Sequence, residues 1–352
     1  MEWRLLDRLD VDVNIFPKEK RMIEQSMQYY GLNIINIKKV RSAYKVTCKE
    51  GTYCLKRMKR GKGKVKNGFI LVEELNKIGF NKVAKYIKTK EGYNYVKYGK
   101  YILYLTDWID GEEIKINDEL EASQCAMLLA EFHNAVEKID ISELKIKNNL
   151  KNWPKIFLSN LYDLEYYKKL ISRKRLINEF DKLYDSYIDI LYERGVIALN
   201  ILQNSYYYDI SKKAEHNKTL CHDSFYYQNI LKKQEEYYIV DLDSIIIDLE
   251  VHDLGKYIRR LMHKSDFMWD FEKAKCIIEA YISVRHLSKD ELEVMLALII
   301  FPHKFWKLGK KRYVKHKHYS EIKYMKKLEK IIRYIELQES FISKYIEYLE
   351  NL

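Results

Sequence analysis

A chain of 352 residues with 47% hydrophobic and 14% aromatic residues can bury a sizeable core. Only 3 prolines and 12 glycines, with 32% charged residues and no repeat or low-complexity tract, exclude long disordered linkers and point to one continuous globular body. The formal charge of +12 is compatible with nucleic acid, an anionic surface or phosphate-bearing ligands.

The opening stretch MEWRLLDRLDVDVN mixes charged and apolar residues. It offers neither the apolar region of a signal peptide nor a membrane span, so cytoplasmic synthesis is expected. The five cysteines, Cys48, Cys54, Cys125, Cys221 and Cys276, lack a C-x-x-C pair and read as reduced thiols. From Ile35 to Met58 apolar and polar residues alternate in INIKKV, SAYKVTCK and TYCLKRM, with a Glu50-Gly51 turn, which predicts three strands, the last bearing Lys56. The spacing of Ile70, Leu71, Leu75 and Ile78 predicts a helix over Asn67 to Ile78, stopped by Gly79. Two further strands, YNYVKYG and KYILYLTDWI, meet at Gly99-Lys100 and close at Asp110-Gly111. Five strands and one helix therefore fill a β-rich lobe over residues 1–110.

Residues 111–352 read as a mainly helical lobe. Asp118 can cap a helix carrying Leu120, Cys125, Leu128, Leu129 and Phe132, and tyrosine- and leucine-rich helices run from Leu158 to Tyr192. TLCHDSFYYQNILKK and EEYYIVDLDSIIID interrupt them as a hairpin with polar cargo. Asp241 and Asp243 stand two apart in the apolar second strand, so both carboxylates should project to one face, an arrangement suited to a hard cation. His252-Asp253-Leu254 opens another helix, and Pro302 breaks the helical run that follows. Beyond it Lys304, Lys307, Lys310, Lys311, Arg312, Lys315 and Lys317 crowd one stretch, with His316 and His318 alternating with the last two lysines. No helix-turn-helix, finger or RNA-recognition pattern accompanies this run, so it reads as a solvated helical face rather than a nucleic-acid surface.

The order strand-Lys56, helix, Leu105-to-Ile109 crossover, His222…Asn229, Asp241 resembles the aminoglycoside phosphotransferase and choline kinase family over nearly the whole chain. Within that group, TYCLKRMK, LTDWIDGEE, the His-x-Ser-x-x-x-x-Asn loop, IVDLDS and FPHKFW are most similar to the CotS family of spore coat proteins. The resemblance implies an α+β, two-lobed, protein-kinase-like fold, with a small antiparallel-sheet N-lobe and a mainly helical C-lobe. It implies that Lys56 faces the phosphates of ATP, that Leu105, Asp107 and Ile109 lie beside the nucleotide, and that Asn229, Asp241 and Asp243 hold Mg2+. Asp253 matches a residue that braces the catalytic loop, although a helix N-cap would account for it equally well.

His222, Asp223 and Ser224 are the catalytic candidates, and their register is unusual. In active relatives the loop reads His-Gly-Asp, four variable residues and Asn. Here Ser224 stands in the place of the base and Asp223 in the place of the glycine. Either a bulge restores Asp223, or the base is missing. An adjacent position in extended chain is displaced by roughly 3.3 Å, whereas about 1 Å of misplacement can cost a hundredfold in rate. Two other departures accompany it. The first hairpin has no glycine before Gly51 to bring bare amides up to phosphate, and Ile70 takes the helix position that in relatives pairs with the lysine, leaving Glu73 and Glu74 about a turn away.

Two functions are open. One is a CotS-like spore coat protein on the forespore surface, held by contacts with other coat proteins, with a weak or idle phosphotransferase site. The other is an active ATP- and Mg2+-dependent phosphotransferase acting on a small-molecule acceptor, a sugar or amino alcohol hydroxyl, with Asp223 as base. The 31 tyrosines suit coat contacts, and a compositional bias that also raises lysine and isoleucine explains them as readily.

Overall fold

The computed structural model describes residues 15–59 and 61–352; the reading of MEWRLLDRLDVDVN falls outside them. In chain order the elements are α1 (Pro17–Gln28), β1 (Ile34–Val40), β2 (Ala43–Cys48), β3 (Gly51–Met58), α2 (Lys62–Lys77), β4 (Tyr86–Ile87), β5 (Val96–Tyr98), β6 (Tyr101–Asp107), β7 (Glu112–Glu113) and α3 (Glu119–Val136). They continue with β8 (Lys147–Asn148), α4 (Trp153–Ser172), α5 (Glu179–Asn204), α6 (Tyr207–Asn217), β9 (Leu220–Cys221), β10 (Ile230–Lys233), β11 (Glu236–Ile239) and β12 (Ile246–Ile247). The remaining helices are α7 (Glu250–Met262), α8 (Phe271–Ile282), α9 (Lys289–Ile300), α10 (His303–Gly309) with a π turn over Lys310–Val314, α11 (Glu321–Ile332) and α12 (Ile335–Glu350). No helix among the described residues is long and apolar enough to cross a membrane.

The chain forms two compact units. The first gathers the described part of Met1–Glu113 with Ile139–Ile146 and Asn229–Ile245, so the β10–β11 hairpin groups with it. Its main sheet has the order β1-β2-β3-β6-β4, with β5 also on β6, and every pairing is antiparallel. The alternation of β2 places Tyr44, Val46 and Cys48 inward, where they meet Leu55, Leu103 and Leu105. The predicted strands are thus present, and a helix and a strand join them. Helix α1 has a polar sequence, but Met22, Ile23 and Met27 lie on one face and pack into this core. Strand β4 is two residues long, too short to leave a periodic signal. Helix α2 begins five residues before the predicted start because Val65, in its lysine-rich first turn, is fully buried.

The second unit comprises Ile114–Lys138, Lys147–Gln228 and Ile246–Leu352 and is mainly helical. Its helix starts follow the sequence: the Asp118 carboxylate accepts from the Glu121 amide at 2.8 Å, and Ser288 with Glu291 forms a capping box for α9. Much of the tyrosine content is core. Tyr167, Tyr184, Tyr207, Tyr257, Tyr281, Tyr324 and Tyr345 are all fully buried, and hydroxyls such as Tyr257 and Tyr345 donate to backbone carbonyls at 3.0 Å. Tyr184 stacks on Phe305 with centroids 4.0 Å apart. A β-carbon at Gly309 would lie 2.3 Å from the Tyr184 hydroxyl and 2.6 Å from the Tyr167 ring. Since neither ring has room to move, Gly309→Ala is expected to cost about 1–3 kcal/mol, readable as a lower midpoint in urea.

Candidate functional site

In the first unit the sheet register builds the frame. Lys56 on β3 lies directly opposite Tyr104 on β6. The Lys56 ammonium reaches the Asp241 carboxylate at 2.6 Å, and the Tyr104 hydroxyl donates to Asp243 at 3.0 Å. Tyr86 stacks on Tyr104 at 5.4 Å, and Gly68 of α2 lets this helix approach the Tyr86 hydroxyl and the Leu242 carbonyl. The 241–243 segment is therefore held by side chains on β3, β4 and β6.

This geometry corrects the expectation of one strand presenting two carboxylates to one face. Strand β11 ends at Ile239, and Asp241 takes a left-handed φ of 74°. The period-two argument no longer applies: Asp241 faces Lys56, while Asp243 is taken by Tyr104 and by the Ser244 hydroxyl at 3.1 Å. The other Asp241 oxygen has no protein partner among the described residues. Asn229 is buried, and its carbonyl accepts from the Val240 amide at 3.0 Å, which fixes it beside the start of this segment. Burial disfavours the Lys56 charge, but Asp241 outweighs this and holds its pKa above the ordinary lysine value. Asp241, Asn229 and Asp243 offer hard oxygen donors of the kind magnesium takes.

The crossover residues differ in role. Leu105 is fully buried in the sheet core, so its side chain is structural. The Asp107 amide donates to the Lys85 carbonyl at 2.8 Å and the Trp108 amide to Thr52 at 3.1 Å. The Ile109 amide has no partner among the described residues and remains available as a donor. Elsewhere the first unit departs from phosphate-binding form. The β1–β2 turn is built on Arg41 at a φ of 53°, and its guanidinium pairs with Glu113. Glu73 pairs with Lys88 and Glu74 with Lys77, so neither α2 glutamate holds Lys56.

In the second unit the loop after β9 is braced from α7. Asp253 is buried, and its carboxylate accepts from the His222 amide at 2.6 Å and the Asp223 amide at 2.9 Å. The N-cap of α7 is Leu249, so bracing and not capping is the role of Asp253. Burial would raise its pKa; the imidazoles of His133, His252 and His222 prevail and hold it well below the usual carboxylate range. His133, Cys221 and Asp253 come close enough to suggest a metal centre. However, the Cys221 thiol donates to the Leu249 carbonyl at 3.2 Å and the Asp253 carboxylate is taken by two backbone amides, so the cluster serves as a brace for the loop.

Asp223 adopts a φ of 61°, the conformation a glycine takes without cost, and its carboxylate is bound by His252 at 3.0 Å and by Lys256. Burial raises its pKa, but the His252 hydrogen bond and the Lys256 charge hold it below the ordinary aspartate value, which weakens it as a base. The Ser224 amide donates to His222 Nδ1 at 3.2 Å, which assigns the imidazole proton to Nε2; the Ser224 hydroxyl lies 3.1 Å from the same Nδ1. His252 and Lys256 were not singled out as site residues from the sequence. Their i, i+4 spacing beside Asp253 is the signal that could have marked them.

The family described as spore coat putative kinase YutH matches residues 21–345. Spore coat protein S of Bacillus subtilis (strain 168) is 24% identical over 341 residues, covering 95% of this chain and 96% of that protein. Among solved structures, an aminoglycoside phosphotransferase from Alicyclobacillus acidocaldarius superposes with a TM-score of 0.82 at 20% identity, covering 94% of this chain and 96% of that one. A spectinomycin phosphotransferase in complex with ADP and spectinomycin gives 0.57 at 15% identity, covering 92% and 98%. These likenesses establish the kinase-like fold, with an antiparallel N-terminal sheet and a mostly helical C-terminal part.

Proposed function

Because the chain belongs to the spore coat putative kinase YutH family, we propose that it is a spore coat protein that binds magnesium-ATP and transfers phosphate weakly or not at all. The observation that supports this reading is in the loop: the Asp223 carboxylate is engaged by His252 and Lys256, and Ser224 stands where the family resemblance would put the base. A serine hydroxyl is a poor base at neutral pH, and a positioned general base contributes roughly 10²- to 10⁴-fold.

Nucleotide binding rests on the first unit. Lys56 would exchange Asp241 for phosphate oxygens, the Ile109 amide would donate to the base, and Asp241 with Asn229 and Asp243 would hold magnesium, whose charge neutralises the triphosphate. The ADP complex of the spectinomycin phosphotransferase supports a nucleotide role for this fold. The Bacillus subtilis relative supports spore coat localisation and association with other coat proteins. Exposed Tyr162 and Tyr166, one turn apart on α4, supply contact surface of the amphipathic kind found at interfaces.

Thermal melts with and without magnesium-ATP test this. A ligand at a hundred times its Kd adds about 2.7 kcal/mol, so a clear upward shift is expected, and Lys56→Met should abolish it. ATP consumption should stay far below the 1–100 s⁻¹ typical of kinases. Turnover in that range, abolished by Asp223→Asn, would instead establish the active phosphotransferase with Asp223 as base.

A further inference from the structure

The basic stretch after Pro302 divides in three dimensions. Lys310 pairs with Asp163 at 3.3 Å and Arg312 with Glu321 at 2.6 Å, while Lys315, His316, Lys317 and His318 are exposed. Lys304, Lys307 and Lys311, spaced i, i+3, i+7 along α10 and its π turn, behave differently. With Lys327 and Lys330 of α11 they line a pocket of about 260 Å³, all within the second unit. His263, Leu308 and Ile331 complete its wall, and no carboxylate lines it. Among the described residues none of these five lysines has an ion-pair partner.

Unrelieved like charge is costly, and the pocket shows its effect. Lys304 keeps a solvent-exposed surface, yet the protein packed around it, and then the cations Lys330, Arg259 and Arg260, lower its pKa to about 7. A second observation comes from an adjoining small cavity that shares His263 and Lys304. It is lined by Trp269 and His303, whose Nε1 and Nε2 are buried without a hydrogen-bond partner.

We propose that this pocket binds a compact polyanion of the phosphate class, either a free polyphosphate or a phosphorylated small molecule, whose charge neutralises the facing lysines of α10 and α11. The open pocket of this volume suits a small multivalent anion and not a nucleic-acid duplex, which needs an extended basic surface. The proposal is independent of the nucleotide reading, since Lys56 belongs to the other unit.

The test is calorimetric titration of the full chain with sodium pyrophosphate, without magnesium and at constant ionic strength. One site is expected. Each charge-assisted contact contributes about tenfold in affinity, so the double variant Lys307→Met/Lys330→Met should bind roughly a hundredfold more weakly. Lys56→Met should bind as wild type does. The double variant should melt no lower than wild type without ligand, because like-charge repulsion has been removed; this separates lost binding from lost folding. Tripolyphosphate and glucose 6-phosphate then distinguish the two sources, the tighter one identifying the ligand type. Absence of binding in wild type, loss in Lys56→Met with retention in the double variant, or tighter binding of hexaglutamate than of pyrophosphate would each overturn the proposal.

Discussion

Replacement of Asp253 by alanine is expected to destabilise the second unit by about 3–5 kcal/mol, the range seen when one partner of a buried charged network is removed. The carboxylate holds the amides of His222 and Asp223 at 2.6 and 2.9 Å, and His133 Nε2 lies 3.5 Å from it. Alanine strands two buried donors and releases the left-handed Asp223, so the loop loses both its anchor and its shape. The pH dependence has a definite sign. The folded-state pKa of Asp253 is depressed, so its contribution is complete above the ordinary carboxylate pKa of about 4 and is lost as pH falls below it toward the folded value. Urea unfolding of wild type and Asp253→Ala should therefore differ by a constant amount from neutral pH down to about 5 and converge in more acid solution. A difference under about 1 kcal/mol at pH 7, or one that widens in acid, would show that Asp253 is an ordinary buried polar residue and not the anchor of the loop.

What could be read from the sequence depended on whether the cause was local. The β1–β3 strands alternate because one face of the sheet meets Tyr44, Val46, Leu55 and Leu105, and that period is written in the chain. Asp118 and Ser288 signal their helices through a nearby residue, as caps do. Helix α1 leaves little trace because only Met22, Ile23 and Met27 contact the core, and their value depends on a sheet that follows later. Asp241 misled for the opposite reason: an apolar run suggested a strand, but β11 ends at Ile239 and Asp241 turns left-handed, and Lys56 and Tyr104, neighbours across β3 and β6 yet far away in sequence, hold the two aspartates instead. Lys256 and His252 could be placed on a helix but not assigned a partner, since Asp223 lies about thirty residues earlier and meets them only through the fold. The lysine pocket was invisible for the same reason, because Lys327, Lys330 and Ile331 of its wall come from α11.

Ser224→Asp is expected to raise magnesium-dependent ATP consumption, with water as acceptor, by about 10²-fold or more, the contribution of a positioned general base. The backbone conformation motivates the variant. Asp223 is left-handed, a conformation that suits the glycine of the His-Gly-Asp order, so on the proposed reading the residue after it is the one to carry the base. Ser224 is held to His222 by its amide and faces the same imidazole nitrogen with its hydroxyl, so the position is well ordered and a carboxylate there starts from a defined backbone. The double variant Asp223→Gly/Ser224→Asp should do at least as well. Glycine adopts φ near 60° without the penalty a side chain carries, and its removal of the Asp223 carboxylate leaves Lys256 free of the pair that now binds it. Because the nucleotide contacts proposed for Lys56, Asn229 and Asp241 lie in the other unit, the magnesium-ATP melting shift should be the same in wild type and both variants, and the gain should appear in kcat. An unchanged rate in both variants, with nucleotide still bound, would mean that the residue at position 224 is not what limits turnover; Arg41 in the first hairpin turn and the α2 glutamates, neither of which holds Lys56, would then be the next positions to exchange.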